Sequence, residues 1–207
     1  MRHLAILIIL LHLFASLAYA NNDCRSEQHD YLVEEIKFSQ KVDCLRDKLI
    51  YELTTRRNIK NEEVRHNLIN ALRSIKTIHF LDSIMCNGSN LAFVDATSGD
   101  DGVIRNDNNI WFCSETLKLI QRGVRAKLDR ENTELVFDEI ITAILIHEGL
   151  HLFGYEHSKK MFKKVIEIAE SLGLNALQDK KGDASKWIES LFLIKDGKAV
   201  KVPASEV

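Results

Sequence analysis

The residues with the clearest capacity for chemistry lie in one short stretch, 147–157, which reads HEGLHLFGYEH. His147 and His151 are four residues apart, so on an α-helix both side chains lie on one face, about one turn apart. Neutral imidazole nitrogen is a preferred zinc ligand, and a catalytic zinc site has three protein ligands and one open position for water. The pair therefore predicts two ligands of a zinc ion.

Three further residues of this stretch would complete the site. Glu148 follows the first histidine directly and projects to one side of the pair, where its carboxylate could accept a proton from water as a general base. Gly154 can adopt a left-handed backbone conformation without steric cost, which would end the helix and turn the chain. His157 would then supply the third nitrogen. The sequence thus predicts His147, His151 and His157 as metal ligands and Glu148 as the catalytic residue.

The same stretch resembles the extended motif HExxHxxGxxH of the metzincin clan of zinc endopeptidases, although the resemblance covers only residues 147–157. It implies a zincin-like fold, one catalytic zinc ion, and cleavage of peptide bonds by water that the metal activates. It also implies that a strand within 78–113 forms the upper edge of the cleft and binds an extended substrate by backbone pairing. It does not assign the chain to a family within the clan.

One feature of the clan is not evident in this sequence. Metzincins carry a methionine in a tight, non-helical turn beneath the metal, usually well after the third histidine. The only methionine after His157 is Met161, and its segment SKKMFKKVIEIAE has a helical pattern. Either Met161 serves this role at short range, or the turn is missing.

Three alternatives to this interpretation remain. A bare HExxH also occurs where both histidines are ordinary polar residues of a helix. Glu167 or Glu170 on the following helix could replace His157 as the third ligand, in a gluzincin-like scheme similar to that of thermolysin. The domain could also be a catalytically inactive binding protein with a peptidase fold, although the intact Glu148 favours an enzyme. Chelator-sensitive cleavage of a general protein substrate would separate an enzyme from a binding protein.

The N-terminal residues 1–20 predict a signal peptide. A short basic start precedes an apolar run from Leu4 to Leu17, and Ala18-Tyr19-Ala20 has the small residues of a cleavage site. The apolar run is short for a membrane span, which favours cleavage over an uncleaved anchor. We therefore expect a secreted or periplasmic protein with no stable membrane insertion after signal removal.

Residues 21–207 have the length and composition of a single domain. The formal net charge of the whole chain is −2, so the composition does not indicate nucleic-acid binding. The expected partner is a protein or peptide substrate, and no sequence feature specifies an oligomeric state.

The four cysteines all lie in the part expected to be exported, which favours two disulfides. Of the three possible pairings, Cys24–Cys44 with Cys86–Cys113 is favoured because each pair lies within one local segment. The alternative, a cysteine thiolate that caps the zinc in a latent form, has no propeptide motif to support it.

Hydrophobic periodicity predicts an α+β fold in which a small mixed sheet precedes a long active-site helix, with further helices on both sides. Helices are expected at about 26–57, 61–74, 114–123, 134–153, 159–172 and 183–195, and a frayed tail from Pro203. Short β-type runs are expected at 78–81, 91–94 and 110–113, and residues 103–104 could add another strand.

The longest turn-rich segment, 95–109, is expected to be a polar surface loop. It contains four carboxylates that could in principle bind Ca²⁺, and secreted metzincins often carry such ions: Asp95, Asp100, Asp101 and Asp107. Because their spacing matches no known calcium loop, the plain surface loop is the favoured interpretation.

Overall fold

In the computed structural model of the chain, the described residues form a mixed α+β fold with five helices and a small three-stranded mixed sheet. These residues are Cys24, 35–56, Ile59, 61–81, Cys86, 91–98, 104–125, 130–174, 194–195 and 198–199. The predicted signal peptide and the predicted C-terminal tail lie outside them. Within this part of the chain, no helix is long and apolar enough to cross a membrane.

The helices and strands follow one another in an order close to the predicted one. They are α1 (Glu35–Thr55), α2 (Glu62–Ser74), β1 (Thr77–Leu81), β2 (Ala92–Ser98), β3 (Ile104–Cys113), α3 (Ser114–Arg125), α4 (Arg130–Leu152), α5 (Lys159–Leu172), β4 (Ile194–Lys195) and β5 (Lys198–Ala199).

Strand β3 is central in the sheet, with β1 parallel on one side and β2 antiparallel on the other. The side chains of one sheet face pack beneath α1, where the ring of Phe38 lies 4.4 Å from that of Phe80 and 5.4 Å from that of Phe112. Phe38 and Phe112 are completely buried, so this layer of aromatic rings joins the sheet to the helices.

The prediction of a polar loop at 95–109 is wrong for most of its residues. Residues 95–98 belong to β2 and 104–109 to β3. Between the pairs Val94–Ile110 and Ala96–Asn106, β3 has three residues where β2 has one, which makes a bulge. Asn108 has φ 56° there, a conformation that asparagine tolerates better than most residues. The bulge explains how a strand accommodates a sequence that looks like a turn.

Helix α4 is the central element of the core. It packs against α1, α2, α3 and α5 and against β2 and β3. Most of its apolar residues are completely buried, among them Phe137, Ile140, Ile141, Ile144 and Leu145. Residues 130–133, which were predicted as a charged connection, are already helical, so α4 begins four residues before the predicted start at 134.

Two other helix predictions differ from the structure at their ends. Helix α3 continues through Gly123 to Arg125, although a break near the glycine was expected. Residues 194–195, expected at the end of a last helix, form β4 and pair with β5, while 183–193 lie outside the described residues. The predicted helix 159–172 agrees with α5, which ends at Gly173 in the left-handed conformation.

One disulfide and a buried ion pair fasten the N-terminal part to the core, and a second disulfide joins Cys86 to the end of β3. The predicted pairings Cys24–Cys44 and Cys86–Cys113 are confirmed, and both fit an oxidising, exported environment. Lys41 on α1 is 5% exposed, and its Nζ lies 2.8 Å from Asp138 Oδ2 on α4. It also donates to the carbonyl of Cys24. A buried ammonium needs such partners, so this contact fixes α1 and the first disulfide relative to α4.

Candidate metal centre

The C-terminal part of α4 presents two histidines and a glutamate from inside the core. His147 is 2% exposed and Glu148 is 3% exposed, whereas His151 is only partly buried. The imidazole rings of His147 and His151 are nearly perpendicular, with their Nε2 atoms 3.1 Å apart. The helix therefore brings both nitrogens to one point, as the four-residue spacing predicts.

Close approach of α4 to α2 depends on Gly149, between the two histidines. A Cβ atom added at Gly149 would lie 2.6 Å from Leu68 Cδ1 and 3.5 Å from Leu72 Cδ2. Both leucines are fully buried on α2. Glycine at this position thus lets the turn of α4 that carries His147 and His151 pack directly against α2.

Helix α4 ends in a Schellman motif, which turns the chain toward the third histidine. Gly154 has φ 87°, and its backbone N–H donates to the His151 carbonyl at 2.8 Å. The N–H of Tyr155 donates to the Leu150 carbonyl at 3.0 Å, which completes the motif. Ser158 then caps α5, its hydroxyl accepting from the Met161 N–H at 3.2 Å. His157 thus lies between the two helix caps.

The three histidines converge in a compact histidine cluster: His147, His151 and His157. The Nε2 of His157 lies 3.2 Å from that of His147 and 3.0 Å from that of His151. These separations are short enough for all three atoms to bind one ion at the usual zinc–nitrogen distance of about 2.0–2.1 Å. The donor set therefore fits a metal ion with three nitrogen ligands.

The surroundings keep these imidazoles neutral. Burial, with the neighbouring His151 and His157, lowers the pKa of His147 well below its ordinary value. Burial and His157 lower the pKa of His151 to about 4, and the partial burial of the imidazole ring also lowers the pKa of His157. Because a metal binds the neutral imidazole, all three side chains are in the ligand-competent state at neutral pH.

A backbone carbonyl sets the orientation of His151. Its Nδ1 lies 2.6 Å from the carbonyl oxygen of Tyr155, so Nδ1 carries the proton that is donated there. The Nε2 lone pair then faces the cluster, which is the usual arrangement of a metal-binding histidine. The turn that delivers His157 therefore also orients His151.

Glu148 has the environment of a group that exchanges protons. Burial raises the pKa of Glu148 to about 8, and its Oε2 has no hydrogen-bond partner among the described residues. A carboxyl group with a pKa near neutrality can both accept and release a proton under ordinary conditions.

The structure also locates the residues of the alternative schemes. Glu167 and Glu170 are exposed on α5, where they line a cavity with Asn61, the residue that caps α2. No carboxylate belongs to the histidine cluster within the described part of the chain. Met161 is fully buried in the first turn of α5, so it does not occupy the non-helical turn of metzincins.

The calcium alternative involves residues that are mostly not described. Asp100 and Asp101 lie outside the described residues, and the side chain of Asp95 is not described. Asp107 is exposed on β3.

Two contacts of the histidine cluster were not predicted from the sequence. Phe162 fits the apolar pattern of α5 and looks like an ordinary core residue, yet its ring lies 5.6 Å from that of His147 and 6.2 Å from that of His157. The Tyr155 carbonyl is a backbone group, so no residue type in the sequence indicates its contact with His151. Gly154, between His151 and His157, is the sequence signal that indicates an ordered turn there.

Comparisons of the chain with protein-family models, with curated proteins and with solved structures find no match. The donor set, its spacing and its surroundings are therefore the basis for assigning chemistry to the site.

Proposed function

We propose that this protein is an exported zinc-dependent endopeptidase with a zincin-like fold. The observation that supports this most strongly is the convergence of three histidine Nε2 atoms within 3.2 Å of one another. The buried carboxyl group of Glu148 is on the residue that directly follows His147. The resemblance of residues 147–157 to the metzincin motif points to the same chemistry. The two disulfides are consistent with export.

His147, His151 and His157 would hold the zinc ion. Zinc suits three imidazole nitrogens in a site that keeps one position open, whereas calcium and magnesium prefer oxygen ligands. When bound, zinc supplies Lewis acidity, which makes water more acidic and polarises a peptide carbonyl.

Glu148 would perform the proton transfers. Its carboxylate accepts a proton from the attacking water, and the resulting carboxylic acid donates that proton to the amine that leaves when the peptide bond breaks. Burial raises the pKa of Glu148 and so favours the protonated form, whereas the positive charge of a bound zinc ion would favour the carboxylate that accepts the proton. The reaction needs no serine or cysteine nucleophile, and the four cysteines are all in disulfides.

Strand β2 is the best candidate for the edge that binds an extended substrate. It is an edge strand of the three-stranded sheet, and it packs against α4, which carries the histidines. The other edge strand, β1, packs against α1 instead. An edge strand has unpaired backbone groups on one side, with which a peptide can form hydrogen bonds.

Metal content and activity together test the proposal. The mature protein, purified without chelators, should contain about one zinc ion per chain. It should cleave a casein-type substrate, lose this activity with 1,10-phenanthroline, and regain it when zinc is restored. Absence of zinc both after purification and after reconstitution would contradict the metal assignment. Stoichiometric zinc without any cleavage would instead favour the inactive, peptidase-like binding protein.

A further inference from the structure

The three histidines of the cluster are held in place by different contacts. His147 is 2% exposed within α4, and His151 donates to the Tyr155 carbonyl. The side chain of His157 is exposed, and among the described residues it has no hydrogen-bonding contact outside the cluster. Packing against a neighbouring side chain is therefore the contact that could orient the His157 ring.

The ring of Phe162 lies beside that of His157. The two planes are nearly parallel, at 9°, and their centroids are 6.2 Å apart, which is an offset-stacked arrangement. Phe162 also lies 5.6 Å from the ring of His147, at 41°. One ring on α5, a helix that supplies no ligand, thus contacts two of the three histidines.

Phe162 and its neighbour Met161 both lie on the buried face of α5, where Phe162 is 7% exposed and Met161 is completely buried. Replacing Met161 therefore tests the effect of a packing change directly beside Phe162.

We propose that Phe162 is a positioning residue that orients the His157 imidazole and thereby sets the affinity of the histidine cluster for its metal. This inference rests on the metal site of the proposed function, but not on peptide cleavage. Stacking on Phe162 restricts rotation of the His157 ring, and that rotation would move its Nε2 away from the other two. Phe162 would thus give His157 the support that a hydrogen bond gives His151.

The test is zinc titration of the metal-depleted mature protein against a chromophoric competitor. Phe162→Leu keeps an apolar side chain but removes the flat ring, and should weaken zinc binding by about 10–100-fold, the usual effect of losing an outer partner of a ligand. Phe162→Tyr keeps the ring and should bind zinc as the wild type does. Met161→Leu is the matched control, because it alters the adjacent core residue at nearly constant volume and should leave zinc affinity unchanged.

A second measurement separates positioning from general loss of structure. In the cobalt-substituted protein, Phe162→Leu should change the visible absorption bands, which report coordination geometry, while Met161→Leu should not. The losses of zinc affinity in Phe162→Leu and in His157→Ala should also be far from additive, because Phe162 acts by orienting His157. The double variant should therefore bind zinc about as weakly as His157→Ala alone.

Wild-type affinity in Phe162→Leu, or an equal loss in Met161→Leu, would overturn the inference. A protein that takes up no metal at all would overturn it together with the proposed function. If the wild type binds zinc but cleaves no peptide, the proposed function fails alone, and weakened zinc binding in Phe162→Leu still supports the positioning role.

Discussion

Two histidines of the histidine cluster lie on α4 and the third lies on the loop that follows, and the protein holds these two parts in different ways. The α4 part, His147 to His151, continues directly from the buried body of the helix and packs through Gly149 against α2. The loop part, Gly154 to Ser158, depends on one helix cap at each end. A change in the α4 part should therefore disturb the whole fold, whereas a change in the loop part should act mainly on the metal.

Glu148→Gln should have the largest effect on activity, without the loss of stability expected of most changes in the α4 part. Glutamine keeps the size of the side chain but cannot accept the proton, and a general base contributes about 10²–10⁴-fold to the rate. Peptidase activity should fall by this factor while zinc content, fold and peptide affinity are retained. The measurements are kcat, metal analysis and peptide binding.

Two outcomes would contradict this role of Glu148. Normal turnover in the purified variant would show that water is activated by another group, or that a contaminant was measured. Loss of zinc would show that Glu148 is a ligand or a structural support.

His157→Ala tests the loop part alone. It removes one nitrogen of three, so zinc binding should weaken by more than the about 10–100-fold that loss of an outer contact costs. The free energy of unfolding of the metal-free protein should change little, because the His157 side chain is exposed. Zinc titration and denaturant unfolding measure the two quantities.

Glu167→Ala and Glu170→Ala are the matched controls for this variant. Both side chains are exposed on α5 and lie outside the histidine cluster, so zinc binding should be unchanged. A loss in either control, with normal binding in His157→Ala, would support the gluzincin-like ligand scheme.

The contrast between the two parts also explains what could be predicted from the sequence. Helix ends with local signals were predicted well: Asn61 caps α2, accepting from the Val64 N–H at 3.1 Å, and Gly173 ends α5. The convergence of the three histidines was predicted because fixed spacing on a helix and a glycine turn determine their relative positions. The local disulfide pairing was predicted for a similar reason.

Features that depend on distant partners were not predicted. The β2–β3 pairing includes the polar residues 104–109, which became a strand only because a neighbouring strand and a bulge accommodate them. The contact of Phe162 with His157 crosses from a loop to a helix, and hydrophobic periodicity shows only that Phe162 is buried. The close approach at Gly149 likewise depends on Leu68 of another helix.

Gly149→Ala tests whether the α4 part is coupled to the core. The new methyl group would be 2.6 Å from Leu68 Cδ1, so that side chain or the helix must shift. Overpacking of this kind typically lowers the free energy of unfolding by about 1–3 kcal/mol. Alanine has a higher helix propensity than glycine, so without a steric conflict the substitution should stabilise α4. An increase in the free energy of unfolding would therefore show that α2 and α4 are not in tight contact at this position.

Leu68→Val, combined with Gly149→Ala, provides the control. The smaller side chain removes part of the steric conflict, so the double variant should be less destabilised than the sum of the two single changes. Strictly additive losses would mean that the two residues do not interact.

Ser158→Ala should have the smallest effect on stability and is the most selective test of the loop part. Loss of an N-cap hydrogen bond costs about 0.5–2 kcal/mol, and here it loosens the start of α5 directly after His157. Asn61→Ala is the matched control, since Asn61 caps α2 by the same kind of bond, at 3.1 Å to the Val64 N–H. Both variants should lose similar stability in denaturant unfolding, but only Ser158→Ala should weaken zinc binding. Equal zinc affinity in the two variants would show that the cap does not help to place His157, and that Gly154 and Phe162 are sufficient.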